Sequence, residues 1–66
     1  MLEIHYIVAG NEQVKTYKSP AEFVARQQLE VPDIEDYYTI SKVTLDGQEV
    51  ALPEKTIGGL FNFYNK

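Results

Sequence analysis

The chain has no cysteine, a single histidine and only six basic residues against ten acidic ones. Without cysteine, neither a disulfide nor a thiolate–metal centre can staple the fold, and thiol nucleophiles are excluded. The six cations, Lys15, Lys18, Arg26, Lys42, Lys55 and Lys66, are scattered and the net charge is −4. Binding a nucleic-acid polyanion or an anionic membrane surface takes a basic cluster, so both partners are disfavoured. Long apolar runs are missing too: the longest, Tyr6 to Ala9, is far short of the ~20 residues of a spanning helix. The opening Met-Leu-Glu-Ile-His-Tyr carries no basic n-region, so no signal peptide is expected and the cytosol is the expected location.

What is present is an ordinary globular composition, 44% hydrophobic, 24% charged and 12% aromatic over 66 residues. That length allows one domain, 1–66, which buries about 60% of the surface its unfolded form exposes. Against an ordering cost of about 1–2 kcal/mol per residue, a net stability of a few kcal/mol is expected.

Leu2, Ile4, Tyr6 and Val8 alternate with Glu3, His5 and Ile7, the period of a half-buried strand. Ala9-Gly10-Asn11-Glu12 is turn material, and Gln13 to Lys18 resumes an extended pattern with Val14 and Thr16 on one face, Lys15 and Tyr17 on the other. A two-residue turn at Gly10-Asn11 sets Val8 opposite Gln13. A longer loop sets it opposite Val14, which keeps apolar partners together and is the preferred register. In the second half, Asp46-Gly47 lies between two further extended runs, Tyr38 to Leu45 and Gln48 to Leu52, and is a strong hairpin signal. Pairing Leu45 with Gln48, Val43 with Val50 and Ser41 with Leu52 puts Val43, Leu45, Val50 and Leu52 on one face.

Ser19-Pro20-Ala21-Glu22 reads as a capping box with proline at the first helical position, starting a helix from Pro20 to about Glu30. Its apolar stripe would comprise Ala21, Val24, Ala25 and Gln28, flanked by Leu29, with Phe23 at or beyond the margin; Glu22 and Arg26 can pair at i,i+4. Val31-Pro32 ends it. Pro53 stops the last strand, and Thr56 caps a final helix in which Ile57, Leu60, Phe61 and Tyr64 recur at helical spacing, weakened by Gly58 and Gly59. The expected fold is α+β, in the order β-β-α-β-β-α, with a mostly antiparallel four-stranded sheet and both helices on one face.

Leu-Glu-Ile-His-Tyr at the start, Val-Lys-Thr-Tyr, Glu-Phe in the capped helix, Tyr-Tyr at 37–38, Lys-Val-Thr before the Asp-Gly turn and Leu-Phe near the end resemble a family of short, uncharacterised cytosolic proteins of Gram-positive bacteria. That family is catalogued as a domain of unknown function. The resemblance implies a free-standing small α+β protein and brings no activity, cofactor or catalytic residue with it.

No constellation for catalysis emerges. A nucleophile needs a base in reach and the base an orienting group. The one histidine, His5, falls on the polar phase of its strand, opposite Leu2, Ile4 and Tyr6, while Ser19 is accounted for by capping. Glu30, Asp33, Glu35 and Asp36 lack the spacing and glycine of a calcium loop, and Lys55-Thr56-Ile57-Gly58-Gly59 is not a phosphate loop. No cofactor, no metal and no enzymatic activity are expected.

The aromatics remain. Tyr6, Phe61 and Tyr64 fall on expected core faces; Tyr37 and Tyr38, being adjacent, point to opposite sides; and Phe63 lies off the final helical stripe. Tyr37, Tyr38 and Phe63 are therefore the candidate partner-binding residues of a small, non-catalytic interaction or accessory module. The alternative is weak single-stranded nucleic-acid binding on a platform of Tyr6, Tyr17 and Tyr38. An open sheet edge allows a monomer or a weak homodimer.

Overall fold

The computed structural model describes residues 1–65. It contains β1 (Leu2–Val8), β2 (Asn11–Tyr17), α1 (Pro20–Gln27), β3 (Thr39–Leu45), β4 (Gln48–Glu49) and α2 (Ile57–Tyr64). The strands form one antiparallel sheet in the order β2-β1-β3-β4. This is the small α+β architecture read from the sequence.

The register sorts side chains between the two faces of the sheet. Leu2 pairs with Tyr17 and Leu45, and Ile4 with Lys15 and Val43, so these share the inner face. Phe23 from α1, Ile57 and Leu60 from α2, and Ile34 from the connecting loop close over Leu2, Ile4, Tyr17, Ile40 and Val43 to complete the core. Both helices thus cover one face. The other carries Glu3, His5 and Ile7 with the Thr16, Val14 and Glu12 that pair with them. Between His5 and Tyr6 the pairing with β3 shifts: His5 faces Lys42 and Tyr6 faces Ile40, leaving Ser41 as a bulge residue.

The second hairpin forms in the expected register, with Leu45 opposite Gln48 and the Val50 N–H donating to the Val43 carbonyl at 2.8 Å. Its strand is shorter than expected, since β4 ends at Glu49. Residues beyond it swing under β3, where Lys55 and Tyr38 carbonyls accept from Ile40 and Ile57. Thr56 caps α2 as expected, its Oγ1 accepting from Gly59 N–H at 3.0 Å.

The first hairpin departs from both expected registers. Val8 pairs with Asn11 across a two-residue turn at Ala9-Gly10, with φ of 51° and 81°. Two positive φ values match the right-handed twist of the flanking strands. The resulting phase keeps Tyr17 on the core side beside Leu2, and a slip of one residue would turn it to solvent. Val14 consequently faces His5, not Val8, and is exposed.

The α1 helix also differs. It ends at Gln27, three residues short of Glu30, and it buries Phe23, leaving Ala21, Ala25, Gln28 and Leu29 exposed. Phe23 offers far more apolar area than two alanines, so the helix rotates to bury the ring. The early end lets Gln27 clamp the loop: its amide donates to the Ile34 carbonyl at 2.8 Å and accepts from the Ile34 N–H at 3.0 Å. Ile34 is thereby plugged into the core from within the acidic connection. At the helix start, Glu22 receives the N–H of Lys18, one residue before the cap. The ion pair of Arg26 is with Asp33, at 3.9 Å.

Candidate functional site

Three surface regions gather chemistry-bearing side chains. The first is an aromatic ladder where the connection from α1 enters β3. Tyr6 stacks on Tyr38 with centroids 5.9 Å apart and planes 14° from parallel. Tyr37 then lies edge-on to Tyr38 at 4.9 Å. Tyr6 and Tyr38 are half-buried against the core, whereas Tyr37 is 73% exposed. Of the two adjacent tyrosines one does turn inward, and it is Tyr38. The Tyr37 hydroxyl is held above its ordinary pKa by Tyr38, with a smaller contribution from lost hydration. Leu29 and Val31, further exposed apolar residues, belong to the same connection as Tyr37.

The second region surrounds Phe63. This ring sits on α2, edge-on to Tyr64 at 5.1 Å, and borders an open groove of about 460 Å³ with Pro53, Glu54, Gly59 and Asn62. Gly59 has a steric reason: a Cβ there would lie 2.5 Å from the Glu54 carbonyl oxygen. Gly59 packs against Glu54, and Gly58 donates its N–H to the Asp36 carbonyl at 3.0 Å. That bond ties α2 to the segment presenting Tyr37. The three candidate residues therefore sit on two supports, Tyr37 and Tyr38 before β3 and Phe63 on α2.

The third region lies on the outer face of the sheet and is a polar chain that the sequence pattern does not assemble. His5 Nε2 is 2.7 Å from Glu3 Oε1, and its Nδ1 is 3.3 Å from Glu12 Oε2. Ser41 Oγ, on the bulge, is 2.9 Å from that same Glu12 oxygen and 3.2 Å from the His5 carbonyl oxygen. The Glu3–His5 spacing is visible in the sequence as i,i+2 on one strand. Glu12 joins only in the true register. The hydroxyl of Ser41 is engaged by a carboxylate and a carbonyl, an arrangement that braces three strands.

Tyr17 does not lie on an open face, as the alternative three-tyrosine platform would require. It is 3% exposed, edge-on to Phe23, and donates its hydroxyl to Asp33 Oδ2 at 3.2 Å. Burial first, and the Asp33 carboxylate second, raise its pKa well beyond the ordinary phenol value. Among the described residues no group of three or more His, Asp or Glu is placed to hold a metal ion, and no helix is long and apolar enough to cross a membrane.

A small antiparallel sheet backed by two short helices, with an exposed aromatic beside the helical layer, defines a compact α+β module. The chain belongs to the family described as Domain of unknown function (DUF4649), whose model matches residues 2–66. No curated protein and no solved structure matches it.

Proposed function

We propose that this protein is a non-catalytic interaction module that binds a protein partner through Tyr37, with Phe63 and its groove as a second contact. The observation that carries the reading is the braced exposure of Tyr37: its ring is open to solvent yet propped edge-on against a neighbour that is itself stacked on Tyr6. A tyrosine already ordered before binding loses little side-chain entropy on contact and presents a large apolar area with a polar tip. Exposed Leu29 and Val31 add apolar surface on the same connection. Single-stranded nucleic-acid binding has less support, because one of its three rings lies in the core and the net charge is −4. On the strength of the sequence resemblance, the module acts in the cytosol of a Gram-positive bacterium.

The test is retention of a partner from lysate on the immobilised protein, with and without nuclease, compared with a Tyr37→Ala/Phe63→Ala variant whose circular dichroism matches wild type. A nuclease-indifferent partner lost by the double variant supports the proposal. Equal retention by the two proteins sinks it.

A further inference from the structure

The two edges of the sheet are treated differently by the fold. On one side β4 has two residues and is followed at once by the arm carrying Pro53. On the other, β2 runs for seven residues, and Asn11 to Thr16 are exposed without interruption. It has no proline and pairs with β1 without a bulge. Natural proteins blunt long free edges with such devices because an open ladder recruits other strands. The charges of β2 are Glu12, engaged by His5 and Ser41 on the outer face, and Lys15. Lys15 stands on the inner face beside Ile4, over the Tyr17 ring at 5.9 Å, and is the one blunting device the strand carries.

The register states which groups this edge offers. Val8 and Asn11 close a two-residue turn and form a hydrogen-bonded pair, and bonded and non-bonded pairs alternate from there. Asn11, Gln13, Lys15 and Tyr17 therefore bond to β1, while Glu12, Val14 and Thr16 direct their main-chain N–H and C=O groups outward. Val14 is the middle residue of the strand and is 54% exposed.

We propose that β2 pairs antiparallel with β2 of a second copy of this chain, about a two-fold axis through Val14, to make a continuous eight-stranded sheet. Of the two-fold registers, only the one centred on Val14 pairs the whole of β2 with itself. It sets Val14 against Val14 of the second copy, Glu12 against Thr16, and Gln13 against Lys15, so no like charges stand opposite one another. A centre one residue later would oppose Lys15 to Lys15. Three outward-facing residues on each strand exchange about six main-chain hydrogen bonds, and the valine pair covers the apolar residue exposed at the middle of the edge. The contact is small beside the roughly 1,600 Å² of a standard interface, which makes this a weak, concentration-dependent dimer. It leaves Tyr37 and the Phe63 groove uncovered by the pairing itself, so it stands apart from the partner contact proposed above.

The absence of cysteine makes the register directly testable. Sedimentation equilibrium of the full chain, carried to about 1 mM because small interfaces are weak, is expected to show monomer converting to dimer. Val14→Lys, an exposed substitution that leaves the pairing with β1 intact, is expected to weaken association at least about tenfold by placing like charges on the axis. Val14→Cys is expected to crosslink to its own copy under oxidised glutathione, since hydrogen-bonded antiparallel partners have Cα atoms about 5.5 Å apart. Thr16→Cys is expected not to, because two-fold-related Thr16 residues fall about 14 Å apart. A chain monomeric throughout, a Val14→Lys variant that associates like wild type, or Thr16→Cys crosslinking as fast as Val14→Cys would each overturn the proposal.

Discussion

The two halves of the molecule carry the same local instructions and reach different ends. Each is a hairpin with an eight-residue helix after it. Each hairpin turns on a residue–glycine pair with both φ values positive, Ala9-Gly10 at 51° and 81° and Asp46-Gly47 at 52° and 85°. Each helix opens on a hydroxyl that accepts from the N–H three residues on, Ser19 from Glu22 and Thr56 from Gly59. In the first half the returning strand keeps its ladder for seven residues and α1 buries a single residue, Phe23. In the second the returning strand stops after two, and α2 buries Ile57, Gly59 and Leu60. Local signals therefore set the elements, and the segment downstream of each hairpin sets how far its ladder runs. Pro53 and the arm that supports Ile40 close one edge, whereas among the described residues no arm pairs along β2.

If α1 is anchored through one ring and α2 through several residues, the halves should respond unequally to truncation. Phe23→Ala is expected to cost about 4 kcal/mol, the greater part of the stability of so small a chain, and to abolish the cooperative thermal transition followed by circular dichroism. Leu60→Ala should cost about 3 kcal/mol and leave a measurable transition in stabilising sulfate. The reverse order would break the comparison. The glycine pair of α2 sharpens it further. Gly59→Ala drives a Cβ to 2.5 Å from a backbone oxygen, and overpacking against the main chain should cost about 2 kcal/mol net of the gain in helix propensity. At Gly58 the nearest atom is 3.5 Å away, so Gly58→Ala should stabilise by as much as about 1 kcal/mol. Urea midpoints of the two variants moving in the same direction would contradict this account.

These contrasts also show why one half is easier to read than the other. Asp46-Gly47 names its own turn, and the hydrophobic phases of Val43, Leu45 and Val50 agree with it, so turn chemistry and burial point the same way. Ala9-Gly10 names nothing, since alanine rarely takes a left-handed φ and Gly10-Asn11 looks the better turn. The demand of Tyr17 for the core rules out the register with Val8 opposite Val14, which would turn the ring to the other face. That is a long-range preference invisible in a window of ten residues. The Gly10-Asn11 turn, a shift of two, keeps every side chain on its face and is separated from the true one only by setting Tyr17 beside Ile4 instead of Leu2. Ile34 is hidden among acids, and its burial depends on Gln27 reaching across seven positions. On the candidate site, the sequence requires that one of Tyr37 and Tyr38 be turned out but holds no signal for which. Tertiary stacking on Tyr6 chooses Tyr38 for the inside.

The turns offer a milder way to probe the halves. Ala9 bears a left-handed φ that asparagine tolerates better, whereas Asp46 already suits the same conformation and lies within reach of the Met1 amino group. Ala9→Asn should raise the urea midpoint by the equivalent of about 1 kcal/mol, and Asp46→Asn should change it little. A larger response at Asp46 would mean that the two turns are not equivalent backbones carrying unequal strain.

The smallest effect at neutral pH becomes visible in alkali. Tyr17 ends β2 and Tyr64 ends α2, and burial raises the phenol pKa of both, that of Tyr17 further because Asp33 adds its charge. A phenol whose pKa is higher folded than unfolded favours the folded state fully below the unfolded value of about 10, and that contribution is lost as pH rises through the folded value. Stability should therefore fall as pH climbs above 10, with most of the slope assigned to the first half. Tyr17→Phe forfeits only the hydroxyl bond to Asp33, about 1 kcal/mol or less at pH 7, yet it should flatten the alkaline slope of urea midpoints more than Tyr64→Phe does. Equal slopes in the two variants would show that the end of β2 is no more sealed than the end of α2, and that the open edge beside it loosens the first half as a whole.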